Sequence, residues 1–154
     1  MITRGGDMGP DPNYFEAEKL PWFPWLMDGV TVKPCKIDTA ANMVIVFLRA
    51  PAGKGGHTHY HHGHVTVYTI AGQWRYLEHD WIARAGDVVY EAPGSIHTFE
   101  TLGDEDTIVF LELTGDLDFK DANGNTVHVL SARTLADDYR AYCKEAGIEP
   151  IGIS

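Results

Sequence analysis

The sequence has few cysteines and no long apolar run. Its two cysteines, Cys35 and Cys143, have neither CxxC nor zinc-ribbon spacing, so they predict neither a disulfide framework nor a zinc ribbon. We therefore expect a reducing, cytoplasmic setting. The longest apolar runs, such as residues 43–48, are far shorter than the roughly 20 residues that a membrane helix needs. We expect no membrane association.

Basic residues are also scarce. The 154-residue chain has 12 lysines and arginines against 22 aspartates and glutamates, a formal net charge of -10. Such a charge repels phosphate backbones and anionic lipid surfaces. Nucleic acid is therefore not an expected partner.

Short β-type segments make up most of the chain. They are rich in β-branched or aromatic residues and are bounded by Gly, Pro or Asp, which predicts strands. The predicted strands cover residues 30–34, 43–49, 65–70, 73–77, 87–91 and 107–113. Asn123-Gly124 predicts a further hairpin within residues 117–130, because this dipeptide favours tight hairpin turns.

The pattern changes at Ser131. Leu135, Tyr139, Tyr142 and Ala146 recur at helical spacing, with Ser131 as N-cap and Gly147 as the stop. We predict one all-β domain with a single C-terminal helix: an N-terminal arm at 1–19, a β-barrel at 20–130, and the helix and tail at 131–154. The apolar segment 20–25 is expected to lie across this domain or across a partner subunit.

Histidines are concentrated in one short segment. Five of them fall within residues 57–64, and His59 and His61 form an HxH pair. On a strand this spacing puts both rings on one face, because side chains alternate with period two. His97 can complete a three-imidazole metal site with open coordination positions. The competing interpretation is a solvated, histidine-rich loop that binds metal without purpose.

Glycines place these histidines in a fixed register. Gly53 precedes His59 by six residues and Gly72 follows His61 by eleven, while Gly86 precedes a segment from Ala92 to His97. The two patterns resemble the two cupin motifs. The resemblance implies a double-stranded β-helix, which is a jelly-roll barrel, with His59, His61 and His97 as metal ligands.

The first cupin motif normally also offers a glutamate, but Val65 and Thr66 stand at its two allowed positions. The alternative catalytic carboxylates are Glu78 and Glu91. Glu91 precedes His97 by six residues; on one strand it would share a face with His97 and could orient a ligand imidazole by a hydrogen bond. Glu78 would share a face with Trp74 if its strand is regular. Solvated positions remain open for both.

A more specific resemblance involves the decapeptide at residues 72–81, GQWRYLEHDW, together with the histidine motifs. Over about residue 20 to the C-terminal helix, the chain resembles the 2,4'-dihydroxyacetophenone dioxygenase family, cupins related to acetylacetone dioxygenase. The resemblance implies non-haem Fe2+ held by three histidines, and O2-dependent cleavage of a carbon–carbon bond beside a carbonyl. Its expected substrates are small β-diketones or 2-hydroxyketones, including aryl ketones. Ala92 and Thr66 depart from the family pattern.

Several alternatives remain open. Three imidazoles also suit Zn2+ or Ni2+, and Mn2+ is a further option. The protein could instead be a metal-dependent isomerase or lyase, or a non-catalytic regulatory cupin that holds a metal. Aromatic residues could line a substrate pocket or form ordinary core; they are Trp74, Tyr76, Tyr68, Phe47 and Phe110. Arg49 and Arg75 could steer an anion or lie in solvent. We expect a homodimer or homotetramer, as is common for cupins.

Overall fold

A computed structural model describes residues 12–25 and 27–154. The predicted N-terminal arm at 1–19 lies mostly outside these residues. The described chain folds into two six-stranded antiparallel sheets and one C-terminal helix. The predicted all-β class with one C-terminal helix is confirmed.

The first sheet, sheet A, has the strand order β1-β2-β3-β10-β5-β8. Its strands are β1 (Phe23–Pro24), β2 (Thr31–Asp38), β3 (Met43–Ala50), β5 (Val65–Ala71), β8 (Val88–Glu91) and β10 (Thr107–Thr114). The second sheet, sheet B, has the order β12-β11-β4-β9-β6-β7. Its strands are β4 (Gly55–His61), β6 (Gln73–Tyr76), β7 (Ala83–Arg84), β9 (Ile96–Leu102), β11 (Leu117–Lys120) and β12 (Thr126–Leu130).

Alternating side chains divide sheet A into an inner and an outer face. On β3, Val44 and Val46 point into the core and are buried. Phe47 and Arg49 point to the outer face, where the Phe47 ring meets the Phe110 ring edge to face with the centroids 5.1 Å apart. This is the period-two pattern of a strand with one face on a core. The interpretation of Phe47 and Phe110 as pocket aromatics is therefore wrong, and Tyr68 is likewise exposed on the outer face.

Both candidate anion-steering arginines lie away from the core. The Arg49 guanidinium lies 4.7 Å from the centre of the Trp22 ring, and Arg75 pairs with Glu100 at 2.7 Å. Arg75 is thus partly in solvent, as one of the two interpretations expected. Arg49 is not, because it is half-buried and its Nε atom is buried without a hydrogen-bond partner.

The C-terminal helix α1 (Ala132–Ala146) begins and ends at the predicted residues. Ser131 caps its first turn in a reciprocal pair with Thr134, and Gly147 ends it in the left-handed conformation, φ 70°, which glycine adopts without strain. Leu135 and Tyr139 are buried, and Tyr139 stacks on Phe23 with ring centroids 5.6 Å apart.

The apolar segment at 20–25 lies on its own domain. Leu20 and Phe23 are buried, and β1 pairs with β2. This confirms the first of the two placements expected from the sequence. In the described part of the chain, no helix has the length and apolar character to cross a membrane.

Candidate metal centre

The HxH pair lies in the middle of sheet B. Strand β4 runs between β11 and β9, and His97 on β9 stands directly opposite His59. Cross-strand partners and residues two apart share one face of a sheet. The structure therefore brings His59, His61 and His97 together on the inner face.

The three imidazoles converge on a small volume. One ring nitrogen from each lies within 4.8 Å of the other two, and Nε2 of His61 lies 3.0 Å from Nε2 of His97. His61 and His97 are each 3% exposed. Buried nitrogens this close, without a charged lysine or arginine between them, are arranged as metal ligands commonly are.

The protonation of these rings suits metal binding. Nδ1 of His59 lies 3.0 Å from the carbonyl oxygen of His57; since a carbonyl only accepts, Nδ1 carries the proton and Nε2 keeps a free lone pair. Burial lowers the pKa of His59 to about 4. Burial also lowers the pKa of His61 to about 2, with a further lowering by His59 and His97. Both rings are therefore neutral near pH 7, the form that binds a cation.

Glu91 reaches this cluster from the other sheet. It ends β8 in sheet A, and a turn at 92–95 separates it from His97 on β9. The expectation that Glu91 and His97 share one strand is wrong, because the Pro93-Gly94 turn carries the chain from one sheet to the other. Its carboxylate nevertheless lies 3.2 Å from Nε2 of His61 and 3.4 Å from Nε2 of His97.

Glu78 lies apart from the cluster. It is an exposed residue beyond the end of β6, so the strand is not regular through this position. The Thr98 amide donates to one carboxylate oxygen at 2.8 Å and the Thr98 hydroxyl to the other at 2.7 Å. Partial burial raises the pKa of Glu78, but the hydrogen bonds from Thr98 outweigh it, so the pKa lies below its ordinary value.

An apolar cavity of about 130 Å³ lies inside the barrel next to the histidines. His59, His61 and Glu91 contribute polar groups to its wall, and the predicted pocket aromatics Trp74 and Tyr76 also line it. Gly56, His57 and Ser131 also border it. The remaining wall is aliphatic and aromatic: Trp25, Met27, Val30, Val32, Val44, Val46, Leu48, Val65, Val67, Phe99, Val109, Leu111, Leu113, Leu117, Phe119 and Leu130.

The sequence pattern did not identify Trp25 and Phe119 as lining residues. Trp25 comes from the N-terminal segment, whose apolar character was visible but whose destination was not. Phe119 stands opposite His59 on β11, and the alternation of the predicted hairpin was the signal that could have found it.

A second, more open cavity of about 540 Å³ lies on the other side of the cluster. His97, Glu91 and Tyr76 line it together with His79, Trp81 and Asp87. The Tyr76 ring stacks on the His97 ring at 3.7 Å and 13°, which fixes the orientation of that imidazole. The candidate metal centre thus lies between the apolar cavity inside the barrel and a more open outer cleft.

The other histidines of the cluster at 57–64 do not join the converging set. His62 contacts Asp118 at 2.9 Å and His64 contacts Glu112 at 3.3 Å, both at partly exposed positions. The side chain of His57 lies outside the set of converging nitrogens. Strand register, rather than histidine number, therefore selects the candidate ligands.

Comparison with known proteins places this fold in a family. The ChrR cupin-like domain matches residues 11–118. The chain belongs to this cupin family. An RmlC-like cupin protein from Ralstonia eutropha is 40% identical, covering 91% of this chain and 92% of that chain with a TM-score of 0.88. The jelly-roll prediction is confirmed for this cupin. Among curated proteins, the search finds no match.

Two more distant structures share the fold. An acetylacetone dioxygenase from Acinetobacter johnsonii is 16% identical, covering 91% of this cupin and 99% of that chain with a TM-score of 0.77. The structure of Rhodobacter sphaeroides SigE in complex with the anti-sigma ChrR matches at 21% identity, covering 62% of this cupin and 49% of that chain with a TM-score of 0.51. At these identities the likeness shows the fold alone.

Proposed function

We propose that this cupin is a non-haem Fe2+-dependent dioxygenase that cleaves a carbon–carbon bond next to a carbonyl in a small β-diketone or 2-hydroxyketone, aryl ketones included. The observation that carries the proposal is the convergence of three buried imidazoles at the wall of an apolar cavity. The resemblance of the decapeptide at 72–81 and the shared fold with an acetylacetone dioxygenase support it.

The donor set fits a divalent transition metal. Imidazole nitrogens suit iron, and equally copper, nickel and zinc, so the choice of Fe2+ depends on the resemblance. His59, His61 and His97 would hold the ion. When bound, Fe2+ would supply Lewis-acid chemistry for a chelating ketone and electrons for O2. The protein's own part is to hold the three imidazoles neutral and fixed.

The cavity favours the uncharged part of a ketone. Its wall has no lysine or arginine side chain among the described residues, so nothing there would neutralise a carboxylate or a phosphate. An engineered apolar cavity of about 150 Å³ binds benzene, and the present one has about 130 Å³. A phenyl ring or a short branched alkyl group is therefore the largest group expected to fit beside the histidines.

The proposed reactions balance with one O2 per turnover. A β-diketone would give a carboxylic acid and a 2-oxoaldehyde or diketone, and a 2-hydroxyketone with a terminal hydroxymethyl group would give a carboxylic acid and formic acid. In each case the carbon–carbon bond beside the carbonyl breaks and both oxygen atoms enter the products. Trp25, Trp74 and Phe119 would exclude bulk water from the apolar end of the substrate.

Glu78 enters the proposal as a positioning residue. It accepts two hydrogen bonds from Thr98, the residue after His97, and the Thr98 hydroxyl also lies 2.7 Å from the Thr58 hydroxyl on β4. This chain of contacts ties together the two strands that carry the histidines. Its expected effect is on the alignment of the imidazoles, with no contact to the substrate.

The test is oxygen consumption by the reconstituted protein. Metal-free protein is loaded with Fe2+ without air and offered a panel of β-diketones and 2-hydroxyketones at an O2 electrode. We expect consumption by the wild type, almost none by His97→Ala, and slower consumption by Glu78→Ala with iron still bound. Silence across the panel, with iron measured in the protein, contradicts the proposal. Turnover without O2, and with Zn2+ or Mn2+, would instead indicate an isomerase or lyase.

A second candidate is a non-catalytic regulatory cupin. The family match itself favours it, because the family is described by the ChrR cupin-like domain and one structural relative is an anti-sigma complex. This candidate predicts tight metal binding with no turnover of any ketone. The same oxygen measurement, made on iron-loaded protein, separates the two candidates.

A further inference from the structure

The carboxylate of Glu91 stands on the metal side of the histidines. We propose that Glu91 is a fourth protein ligand, so that the centre is a three-histidine, one-carboxylate site. The inference depends on the metal-binding part of the proposed function and on no particular reaction.

Glu91 faces the Nε2 side of the imidazoles, which is the side that would bind the metal. A carboxylate that only orients a metal-bound histidine hydrogen-bonds to the ring nitrogen away from the metal. Here the carboxylate lies 3.2 Å from Nε2 of His61 and 3.4 Å from Nε2 of His97, and these two nitrogens face each other at 3.0 Å. Nδ1 of His61, the nitrogen that an orienting group would hold, is buried without a hydrogen-bond partner.

The spacing matches a shared coordination sphere. Ligand atoms that are about 2.1 Å from one metal ion lie about 3.0 to 3.4 Å from each other in octahedral or tetrahedral arrangements. The carboxylate oxygens and the two Nε2 atoms fall in this range. An ion between these atoms would contact the carboxylate as well as the imidazoles of His61 and His97.

The position of Glu91 explains the missing glutamate of the first histidine motif. Val65, one of the two positions at which that motif offers its carboxylate, pairs directly with Glu91 across β5 and β8. Glu91, on the neighbouring strand β8, therefore lies where the glutamate of the motif would lie on β5. The turn after it is fixed to the HxH strand, because the Gly94 amide donates to the His61 carbonyl at 2.8 Å and the His61 amide to the Ser95 carbonyl at 2.9 Å.

The surroundings of Glu91 lack a positive charge. Glu91 is 5% exposed, and among the described residues its ion-pair contacts are His61 and His97 alone. Its Oε1 atom has no hydrogen-bond partner. A buried carboxylate without a counter-charge is costly, and a divalent cation between these groups would supply that charge. The complete set would leave the ion a formal charge of about +1 instead of +2.

The experiment is a Co2+ titration of metal-free protein. Visible absorption monitors the coordination of the ion, and competition with a chelator measures its affinity. The variants are Glu91→Gln, which keeps the shape and removes the charge, and Glu91→Asp, which keeps the charge. The matched control is Glu112→Gln, because Glu112 also lies 3.3 Å from a histidine but at a partly exposed position outside the cluster.

We expect Glu91→Gln to bind Co2+ at least tenfold more weakly, with changed band intensities, while Glu112→Gln matches the wild type. Azide should bind the Co2+ form of Glu91→Gln more tightly than that of the wild type, because a position is opened and the charge is higher. An unchanged spectrum and azide affinity, with or without weaker Co2+ binding, would overturn the inference and leave a three-histidine centre and the proposed function standing.

A crystal structure of the Co2+-loaded wild type answers the same question without a substitution. A distance of about 2.2 Å or less between the metal and a Glu91 oxygen supports the inference, and a distance beyond about 3 Å overturns it. Failure of the wild type to bind any metal would remove this inference and the proposed function together.

Discussion

Each of the three histidines is held by a different local contact. His59 donates through Nδ1 to the His57 carbonyl, His97 is stacked by Tyr76, and the backbone of His61 is bonded to the turn after Glu91. Rotation of the His59 or the His97 ring would therefore break a specific contact, whereas the backbone bonds of His61 fix the position of its strand. Such preorganisation lowers the cost of binding a cation.

Replacement of single histidines separates ligands from bystanders. His97→Ala is expected to lose most of the bound metal, whereas His57→Ala, His62→Ala and His64→Ala should retain a stoichiometry near that of the wild type, because their rings lie outside the converging set. Elemental analysis after loading and desalting measures this. Equal losses in all four variants would show that the proposed ligand register is wrong.

The buried imidazoles also make stability depend on pH. The pKa values of about 4 for His59 and about 2 for His61 lie below the ordinary 6.5 of an unfolded histidine. Between its folded and unfolded pKa values each imidazole binds more protons in the unfolded chain than in the folded one. The stability that depends on these two groups is therefore full above about pH 7 and falls as the pH drops from 6.5 toward 4 for His59 and toward 2 for His61.

Urea unfolding of metal-free protein at pH 7.5 and pH 5 checks this dependence. We expect a lower midpoint at pH 5, and a smaller drop for His61→Asn than for the wild type. His128→Asn is the control, because His128 lies at an exposed position on β12 and should leave the drop unchanged. Equal midpoints for the wild type at the two pH values would contradict the buried, neutral state of the imidazoles.

The sequence predicts the candidate ligands better than their surroundings. His59 and His61 follow from period-two alternation alone, and the glycine spacing identifies His97. Glu91 was expected beside a ligand imidazole on the ground that it shares a strand with His97. It does lie beside His61 and His97, but a turn that moves the chain between the two sheets places it there, and the sequence pattern did not reveal that turn. Glu78 was expected to face the same way as Trp74, but the strand ends at Tyr76 and the side chain turns to Thr98.

At the scale of elements, the cavity wall comes from both sheets and from the N-terminal segment. Val109 on β10 is 3% exposed and lines the cavity. Its place there can be tested by filling the space. Val109→Phe is expected to retain bound metal but to lose activity toward aryl ketones more than toward acetylacetone-sized ones, because less room remains beside the histidines.

Overpacking of this kind costs about 1 to 3 kcal/mol, which the urea midpoint would report. Val127→Phe is the matched control, because Val127 is 64% exposed on β12 and should change neither selectivity nor stability by much. Steady-state rates with the two classes of ketone measure the selectivity. A parallel loss for both classes would mean that the cavity does not hold the substituent.

The boundaries of the helix and of several strands could be predicted from the sequence, but the order of the strands within each sheet could not. Ser131 and Gly147 bound the helix because cap residues have local preferences, and Asn123-Gly124 forms the turn between β11 and β12. The structure adds strands that the sequence pattern did not list, including β9, which carries His97. Pairing such as β10 between β3 and β5 joins distant segments, and nothing local in the sequence encodes it.

The whole molecule presents an apolar outer patch, which we define as Tyr68, Ile70, Val88 and Tyr90 on β5 and β8. These side chains are 42 to 64% exposed, and exposed apolar patches mark association surfaces. A homodimer or homotetramer stays a prediction, and light scattering of the purified protein measures it. We expect Val88→Glu to shift the mass toward the monomer; a monomeric wild type would contradict the prediction.

The three histidines and their cavity are proposed to support O2-dependent cleavage of a ketone. The most direct measurement is mass spectrometry of the products formed by Fe2+-loaded protein under ¹⁸O2 from the best substrate of the panel. We expect one labelled oxygen atom in the carboxylic acid product. A carboxylic acid without ¹⁸O, or a complete lack of cleavage by protein that holds iron, would contradict the proposed reaction.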